Sequence, residues 1–231
     1  MASQWIDIAD SGDRRFTGHL TLPPAGTGPG LVLLQEIWGV NHHIRAVAEQ
    51  YALAGFVVLA PDVFWRQEHQ VDLDYDEPGI ARAKELRAGL DDARAGDDAC
   101  QATRVLRERP EIQGPVAAVG YCLGGQLAYR AAAGQAVDAA VSFYGGGIAA
   151  NLELAAQVQV PMLFHHAGRD KMIPPEDVDR IRRAFGGHDQ AVFCDYPESD
   201  HGFSCWGRPA YDQRAAALAH GRSLTFLAGQ L

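Results

Sequence analysis

The chain has 231 residues, of which 47% are hydrophobic and 21% charged, and its formal net charge is −9. This length suits one domain with a substantial core, which we assign to residues 1–231. The acidic balance argues against nucleic acid and against an anionic membrane as the main partner. We find no signal peptide, no apolar run near the ~18 residues of a membrane span and no C-x-x-C pair, so we expect a cytoplasmic protein with free thiols.

Short apolar runs alternate with longer amphipathic stretches along the chain. The runs predict buried strands at residues 31–35, 56–60, 116–119, 139–143, 161–165 and 191–194. The amphipathic stretches predict helices at residues 43–54, 92–109, 123–133, 176–185 and 211–227. An antiparallel edge hairpin at residues 4–8 and 15–22 brings the expected sheet to about eight strands. This alternation predicts an α/β fold, with a mostly parallel central sheet and helices on both faces.

One predicted strand end carries a cysteine in a glycine-rich turn, and ligands of such sheets bind just beyond strand ends. Residues 120–125 read GYCLGG and join the strand at 116–119 to the helix at 123–133. The spacing G-x-nucleophile-x-G is typical of a nucleophile elbow. We therefore predict that Cys122 is a nucleophile and that the N–H of Leu123 is an oxyanion donor. The alternatives are a structural cysteine beside a glycine turn and a phosphate-binding loop.

Two further strand ends carry an acid and a base. Asp170 follows the strand at 161–165, and His201 follows the strand at 191–194. Taken alone, the aspartate would suit a turn cap and the histidine a surface loop. With Cys122 they occur in the chain order nucleophile, acid, base, which is the order of the α/β-hydrolase fold. We therefore predict a catalytic triad of these three residues.

The motifs resemble those of the dienelactone hydrolases, or carboxymethylenebutenolidases, over nearly the whole chain. The segments that carry the resemblance are LQEIWG at 34–39, APD at 60–62, GYCLGG at 120–125, GRD at 168–170 and DHGF at 200–203. Cysteine in place of the more common serine makes the match specific. The resemblance implies an α/β-hydrolase fold and hydrolysis of an enol lactone or activated ester through a covalent acyl-cysteine intermediate.

The resemblance also implies roles for the residues that follow the strand at 31–35. Glu36 is expected beside Cys122, where it takes the thiol proton once substrate binds. The alternative role for Glu36 is to cap the following helix. The backbone N–H of Ile37 is expected to be the second oxyanion donor. Trp38 is expected either to line the substrate pocket or simply to pack.

Substrate binding is where the chain departs from the family pattern. Better-known dienelactone hydrolases hold the substrate carboxylate with two arginines, whereas the corresponding positions here are Ile80 and Cys205. Arg82 and Arg208 lie close to those positions in the sequence, and a guanidinium suits a carboxylate. We predict that both bind substrate, the alternative being that they are ordinary surface arginines.

The sequence contains no nucleotide-binding glycine fingerprint and no recognisable cluster of metal ligands, so we expect no cofactor and no metal. We expect a small-molecule lactone or ester as substrate, and a monomer or weak homodimer. Two rival functions stay open. One is a general esterase or thioesterase for small substrates. The other is a non-catalytic protein that binds a ligand or senses oxidants through Cys122.

Overall fold

The computed structural model describes residues 2–10, 12 and 14–230, and its strands form an eight-stranded sheet. In chain order the strands are β1 (Ser3–Asp10), β2 (Arg15–Thr21), β3 (Gly28–Leu34), β4 (Val57–Pro61), β5 (Ile112–Tyr121), β6 (Ala139–Phe143), β7 (Met162–Ala167) and β8 (Ala191–Tyr196). The helices are α1 (His42–Leu53), α2 (Glu77–Ala88), α3 (Asp92–Arg107), α4 (Leu123–Ala133), α5 (Pro175–Ala184) and α6 (Gln213–Ala228). Two short 3₁₀ helices, Ile148–Ala150 and Leu152–Gln157, lie between β6 and β7.

The strand order across the sheet is β1-β2-β4-β3-β5-β6-β7-β8. Strands β3 to β8 pair in parallel, whereas β1 and β2 form an antiparallel hairpin that joins the sheet through β4. The predicted mostly parallel sheet of eight strands and its antiparallel edge hairpin are therefore confirmed.

Both faces of the sheet are covered by helices, as predicted. On one face, α1 and α6 pack apolar side chains against alternate residues of the central strands, such as Leu31 and Leu33 of β3. On the other face, α3, α4 and α5 cover the intervening residues Val32 and Leu34. This alternation follows from the two-residue period of a strand. Among the described helices, none combines the length and the apolar character needed to cross a membrane.

Helix α2 was not predicted as a helix from the sequence. It buries only Gly79, Ala83 and Leu86, so it carries little of the apolar periodicity by which helices are recognised. Its start has clear local signals, because Asp76 accepts a hydrogen bond from the N–H of Gly79 and a proline lies in the first turn. These capping signals alone, without an apolar pattern, would have predicted α2.

The parallel strands bring four predicted residues to one edge of the sheet. Glu36 follows β3, Cys122 follows β5, Asp170 follows β7 and His201 follows β8. Because the carboxyl ends of parallel strands share an edge, residues far apart in the chain become neighbours there.

Candidate active site

Cys122 lies in a strained turn between β5 and α4. Its backbone has φ 53° and ψ −112°, a conformation that non-glycine residues rarely adopt. The turn is possible because its neighbours are glycines: a Cβ on Gly120 would lie 1.9 Å from the carbonyl oxygen of Gly124. A Cβ on Gly124 would lie 2.0 Å from the carbonyl oxygen of Leu34. The predicted elbow geometry is therefore present.

The structure brings the three predicted triad residues into one hydrogen-bonded chain. The Nε2 atom of His201 lies 3.0 Å from the Sγ atom of Cys122, and its Nδ1 atom lies 2.7 Å from Oδ2 of Asp170. The other carboxylate oxygen of Asp170 accepts from the backbone N–H groups of Met172 and Ile173 at 2.8 and 3.1 Å. These bonds hold the carboxylate in place, so it can orient the imidazole ring.

The electrostatics of His201 follow from this chain. Burial opposes the charged ring, but the negative charges of Cys122 and Asp170 and their hydrogen bonds outweigh it and raise the pKa of His201 to about 10. The contact between Nε2 of His201 and Sγ of Cys122 allows the ring to take up the thiol proton. The arrangement therefore suits nucleophilic attack by sulfur.

The two residues predicted to be oxyanion donors, Ile37 and Leu123, line the same cavity as Cys122. Leu123 is the first residue of α4, so its N–H has no acceptor within the helix and belongs to the positive end of the helix dipole. Ile37 follows β3. Two backbone N–H groups around a nucleophile are the usual parts of an oxyanion hole.

Glu36 forms a buried ion pair with Arg208. The Oε1 atom of Glu36 lies 3.0 Å from Nη1 of Arg208, and the carboxylate is almost fully buried. Burial raises the pKa of Glu36, while the charges of Arg208 and His201 act to lower it. Glu36 does not cap the following helix, because the side chain of Asn41 accepts from the N–H of Ile44 at that position. The capping alternative is therefore wrong.

A cavity of about 620 Å³ opens beside the sulfur atom. Its lining residues are Ile37, Trp38, Tyr75, Ile80, Lys84, Arg87, Ala88, Cys122, Leu123, Gly146, Gly147, Met172, His201, Arg208 and Pro209. Six of the nine predicted site residues therefore share one cavity. Of the other three, Asp170 and Glu36 are buried behind it, and Arg82 is not brought to it.

The two arginines predicted to bind substrate, Arg82 and Arg208, differ in position and in ion-pair partner. Arg82 lies on the exposed side of α2, where it pairs with Glu68 and Glu85. Arg208 lines the cavity and stacks over the ring of Trp38, with 4.7 Å from its guanidinium carbon to the ring centroid. Of the two predicted substrate-binding arginines, Arg208 therefore lines the cavity and Arg82 does not.

Lys84, Arg87 and Tyr75 also line the cavity, and sequence reasoning missed them. Arg87 is held by Asp92 at 3.0 Å, whereas Lys84 is exposed and has no ion-pair partner among the described residues. Lys84 lies four residues after Ile80, on the face of α2 that lines the cavity, so recognising α2 would have placed the two side chains together.

Comparisons with known proteins show the family to which the chain belongs. A family model described as the dienelactone hydrolase family matches residues 16–231. The chain belongs to the dienelactone hydrolase family. A carboxymethylenebutenolidase from Pseudomonas putida is 34% identical over 229 residues, which cover 99% of this chain and 97% of the relative. Carboxymethylenebutenolidase 1 from Cupriavidus pinatubonensis is 33% identical, covering 99% and 97%.

Solved structures agree with the family assignment. The crystal structure of a Klebsiella pneumoniae protein is 25% identical and superposes with a TM-score of 0.86, covering 98% of each chain. The dienelactone hydrolase from Anabaena variabilis is 20% identical, with a TM-score of 0.72 over 100% of this chain and 98% of that one. The predicted α/β-hydrolase fold is confirmed, and this member of the dienelactone hydrolase family is a hydrolase.

Proposed function

We propose that this hydrolase cleaves an enol lactone or a small activated ester through a covalent acyl-cysteine intermediate. The observation that carries the proposal is the hydrogen-bonded chain from Cys122 through His201 to Asp170 at the wall of a cavity. A sulfur nucleophile, a base that contacts it and an acid that orients the base are the parts that covalent acyl transfer requires.

In the proposed mechanism the thiolate of Cys122 attacks the substrate carbonyl while His201 carries the former thiol proton. The resulting oxyanion accepts hydrogen bonds from the N–H groups of Ile37 and Leu123. The intermediate collapses, the carbon–oxygen bond of the ester breaks, and the leaving oxygen takes the proton from His201. Water then attacks the acyl-cysteine with His201 as its base, which releases the acid and restores the thiolate.

The Glu36–Arg208 ion pair supports a role for Glu36 in controlling the reactivity of the Cys122 thiol. In the free enzyme Arg208 compensates the charge of Glu36, and Arg208 also lies close enough to Cys122 for their charges to interact. A substrate carboxylate that reached Arg208 would compete with Glu36 for the guanidinium. Freed from Arg208, the Glu36 carboxylate would assist removal of the thiol proton, which His201 carries during the attack; this is the role that we propose for Glu36.

The test is turnover by Cys122→Ala beside wild type and beside Cys194→Ala, a matched thiol control in β8. Alanine suits the tight turn but supplies no nucleophile, so we expect turnover of an aryl ester and of an enol lactone to vanish only in Cys122→Ala. Wild type quenched during turnover should carry the acyl mass on the peptide that contains Cys122. Turnover by Cys122→Ala, with an unchanged thermal melt, would contradict the covalent mechanism.

A second candidate, a general esterase for bulkier apolar esters, is favoured by the size of the cavity. About 620 Å³ is typical of a pocket for a drug-sized ligand, which exceeds a five-membered lactone. Apolar side chains of Trp38, Ile80 and Met172 contribute to its lining. A screen of enol lactones, aryl esters of increasing acyl length and thioesters distinguishes the two. Wild-type protein that turned over none of them would instead favour the ligand-binding or oxidant-sensing alternative.

We also propose that the chain acts as a single domain, as a monomer or weak homodimer. The support is that the triad, both predicted oxyanion donors and the cavity all come from one copy. Light scattering after size exclusion, run at two protein concentrations, tests this directly. A stable higher oligomer would contradict it.

A further inference from the structure

Three side chains of different types meet behind the cavity. Glu36 follows β3, His43 lies in the first turn of α1, and Cys205 lies in the loop after His201. One carboxylate oxygen of Glu36, one ring nitrogen of His43 and the Sγ atom of Cys205 all lie within 4.8 Å of one another. The exposed fraction of each residue is 1% or less, so the cluster is enclosed by protein.

Two residues of this cluster have buried polar atoms without a partner, whereas Cys205 interacts with Glu36 and Tyr75. Both ring nitrogens of His43 and the Oε2 atom of Glu36 are buried without a hydrogen bond to any described residue. Each buried polar atom left unpaired costs about 1–3 kcal/mol, and most such atoms in folded proteins are paired. One His43 nitrogen and a Glu36 oxygen face the Sγ atom of Cys205, which indicates that the cluster can hold a further group.

We propose that Glu36, His43 and Cys205 bind one Zn²⁺ ion. Thiolate, imidazole and carboxylate are the ligands that Zn²⁺ prefers, and three protein ligands with one open position are a common coordination. In a tetrahedral Zn²⁺ site the ligand atoms are roughly 3.3–3.8 Å apart. Small side-chain rotations would bring the three atoms from their present separations to those distances.

The charges around the cluster are compatible with this assignment. Arg208 occupies Oε1 of Glu36, which leaves Oε2 for the metal, so the carboxylate can bridge the guanidinium and the ion. Binding converts the thiol of Cys205 to a zinc thiolate and releases its proton to solvent. The carboxylate and the thiolate then carry two negative charges against the three positive charges of the ion and Arg208, and a hydroxide at the open fourth position would neutralise the remaining one.

One partly exposed side chain packs directly against the cluster. The indole ring of Trp206 packs edge-on against the ring of His43, with 4.1 Å between centroids, and Trp206 is 39% exposed. Because a bound ion would restrain Glu36, we expect Zn²⁺ also to lower turnover.

The test uses Co²⁺ as a spectroscopic substitute for Zn²⁺ on the chelator-treated full-length protein. A cobalt–thiolate bond gives a near-ultraviolet charge-transfer band, and a tetrahedral site gives intense visible bands. We expect wild type to bind one Co²⁺ per chain with both features, and Zn²⁺ to displace it. The features should persist in Cys122→Ala and in Cys194→Ala and disappear in Cys205→Ala.

The thiol variants exclude the main competing explanation, which is binding by the Cys122–His201 pair. A band lost in Cys122→Ala and kept in Cys205→Ala would overturn the proposal, as would no band in wild type or a band kept in every variant. Cys205→Ser and His43→Gln repeat the test with smaller changes of shape. Thermal melts identify any variant that lost the band by unfolding, and wild-type binding stoichiometry by dialysis then decides.

Discussion

The two sides of the cavity are built by different physical means. The reacting side consists of strand ends and a glycine turn, whose positions are determined by backbone geometry. The opposite side consists of α2 and the loop after His201, where the long side chains of Arg87 and Arg208 are placed by ion pairs. This difference teaches that the catalytic residues lie in local sequence motifs. The positions of the side chains that would contact substrate depend instead on ion pairs with carboxylates that are distant in the sequence.

The largest expected effect is on the reacting side, from Asp170→Asn. The amide cannot hold His201 in the required tautomer, so we expect kcat to fall by about 10²–10⁴ with the fold intact. Steady-state kinetics and a thermal melt measure this. An unchanged kcat would indicate that another carboxylate, such as Asp200 or Glu198, orients the ring.

Adding one methyl group to a glycine of the nucleophile elbow should destabilise the protein. In Gly124→Ala the new Cβ would meet the carbonyl oxygen of Leu34, so we expect a loss of about 2–4 kcal/mol in the free energy of unfolding. Gly221→Ala is the matched control, because its Cβ meets nothing within 4 Å in the exposed part of α6. There we expect a gain of about 0.5–1 kcal/mol. Urea unfolding of both variants checks the comparison, and equal effects would contradict it.

The Glu36–Arg208 pair connects the two sides, and its partners should act in opposite directions on the thiol. Glu36→Gln leaves the charge of Arg208 uncompensated near Cys122, so the thiolate is favoured and iodoacetamide should react faster at neutral pH. Arg208→Gln leaves a buried carboxyl without its cation, so the reaction should slow. Alkylation rates read by mass spectrometry test this. Equal rates in both variants would defeat the control that we propose for Glu36.

The smallest expected effect is on the opposite side. Lys84 lines the cavity, whereas Arg82 on the same helix pairs away from it. We therefore expect Lys84→Ala to lower kcat/KM for a carboxylate-bearing ester about two- to fivefold, and Arg82→Ala to change it by less. A neutral ester of similar size should respond to neither substitution. A larger effect from Arg82→Ala would restore the role predicted for it from sequence.

The same contrast between the two sides of the cavity explains which site residues could be predicted from the sequence. The elbow at Cys122 was readable because only glycines fit its turn, and Asp170 and His201 were readable because strand ends carry the site. The partner of Arg208 was not readable, since Glu36 lies 172 positions earlier in the chain. The prediction for Arg82 failed for a similar reason. Its side chain pairs with Glu68, 14 positions earlier in the chain, on the exposed side of α2.

The cluster of Glu36, His43 and Cys205 shows the same limit. Its members come from three separate segments and none shares a short spacing with another that would indicate a metal site. From the sequence, Cys205 stands out only as the counterpart of a family arginine, and position 43 only as the first residue of the helix predicted at 43–54. Only tertiary structure brings their polar atoms together.

The location of Lys84 has a practical consequence, because the chain has just one other lysine, Lys171. Lys84 lines the cavity, and Lys171 is exposed between Asp170 and Met172, which also lines it. A support that captures proteins through side-chain amines would therefore hold the enzyme with its opening against the matrix. Coupling through the 29 acidic residues, which are spread along the whole chain, would leave the entrance free in most orientations.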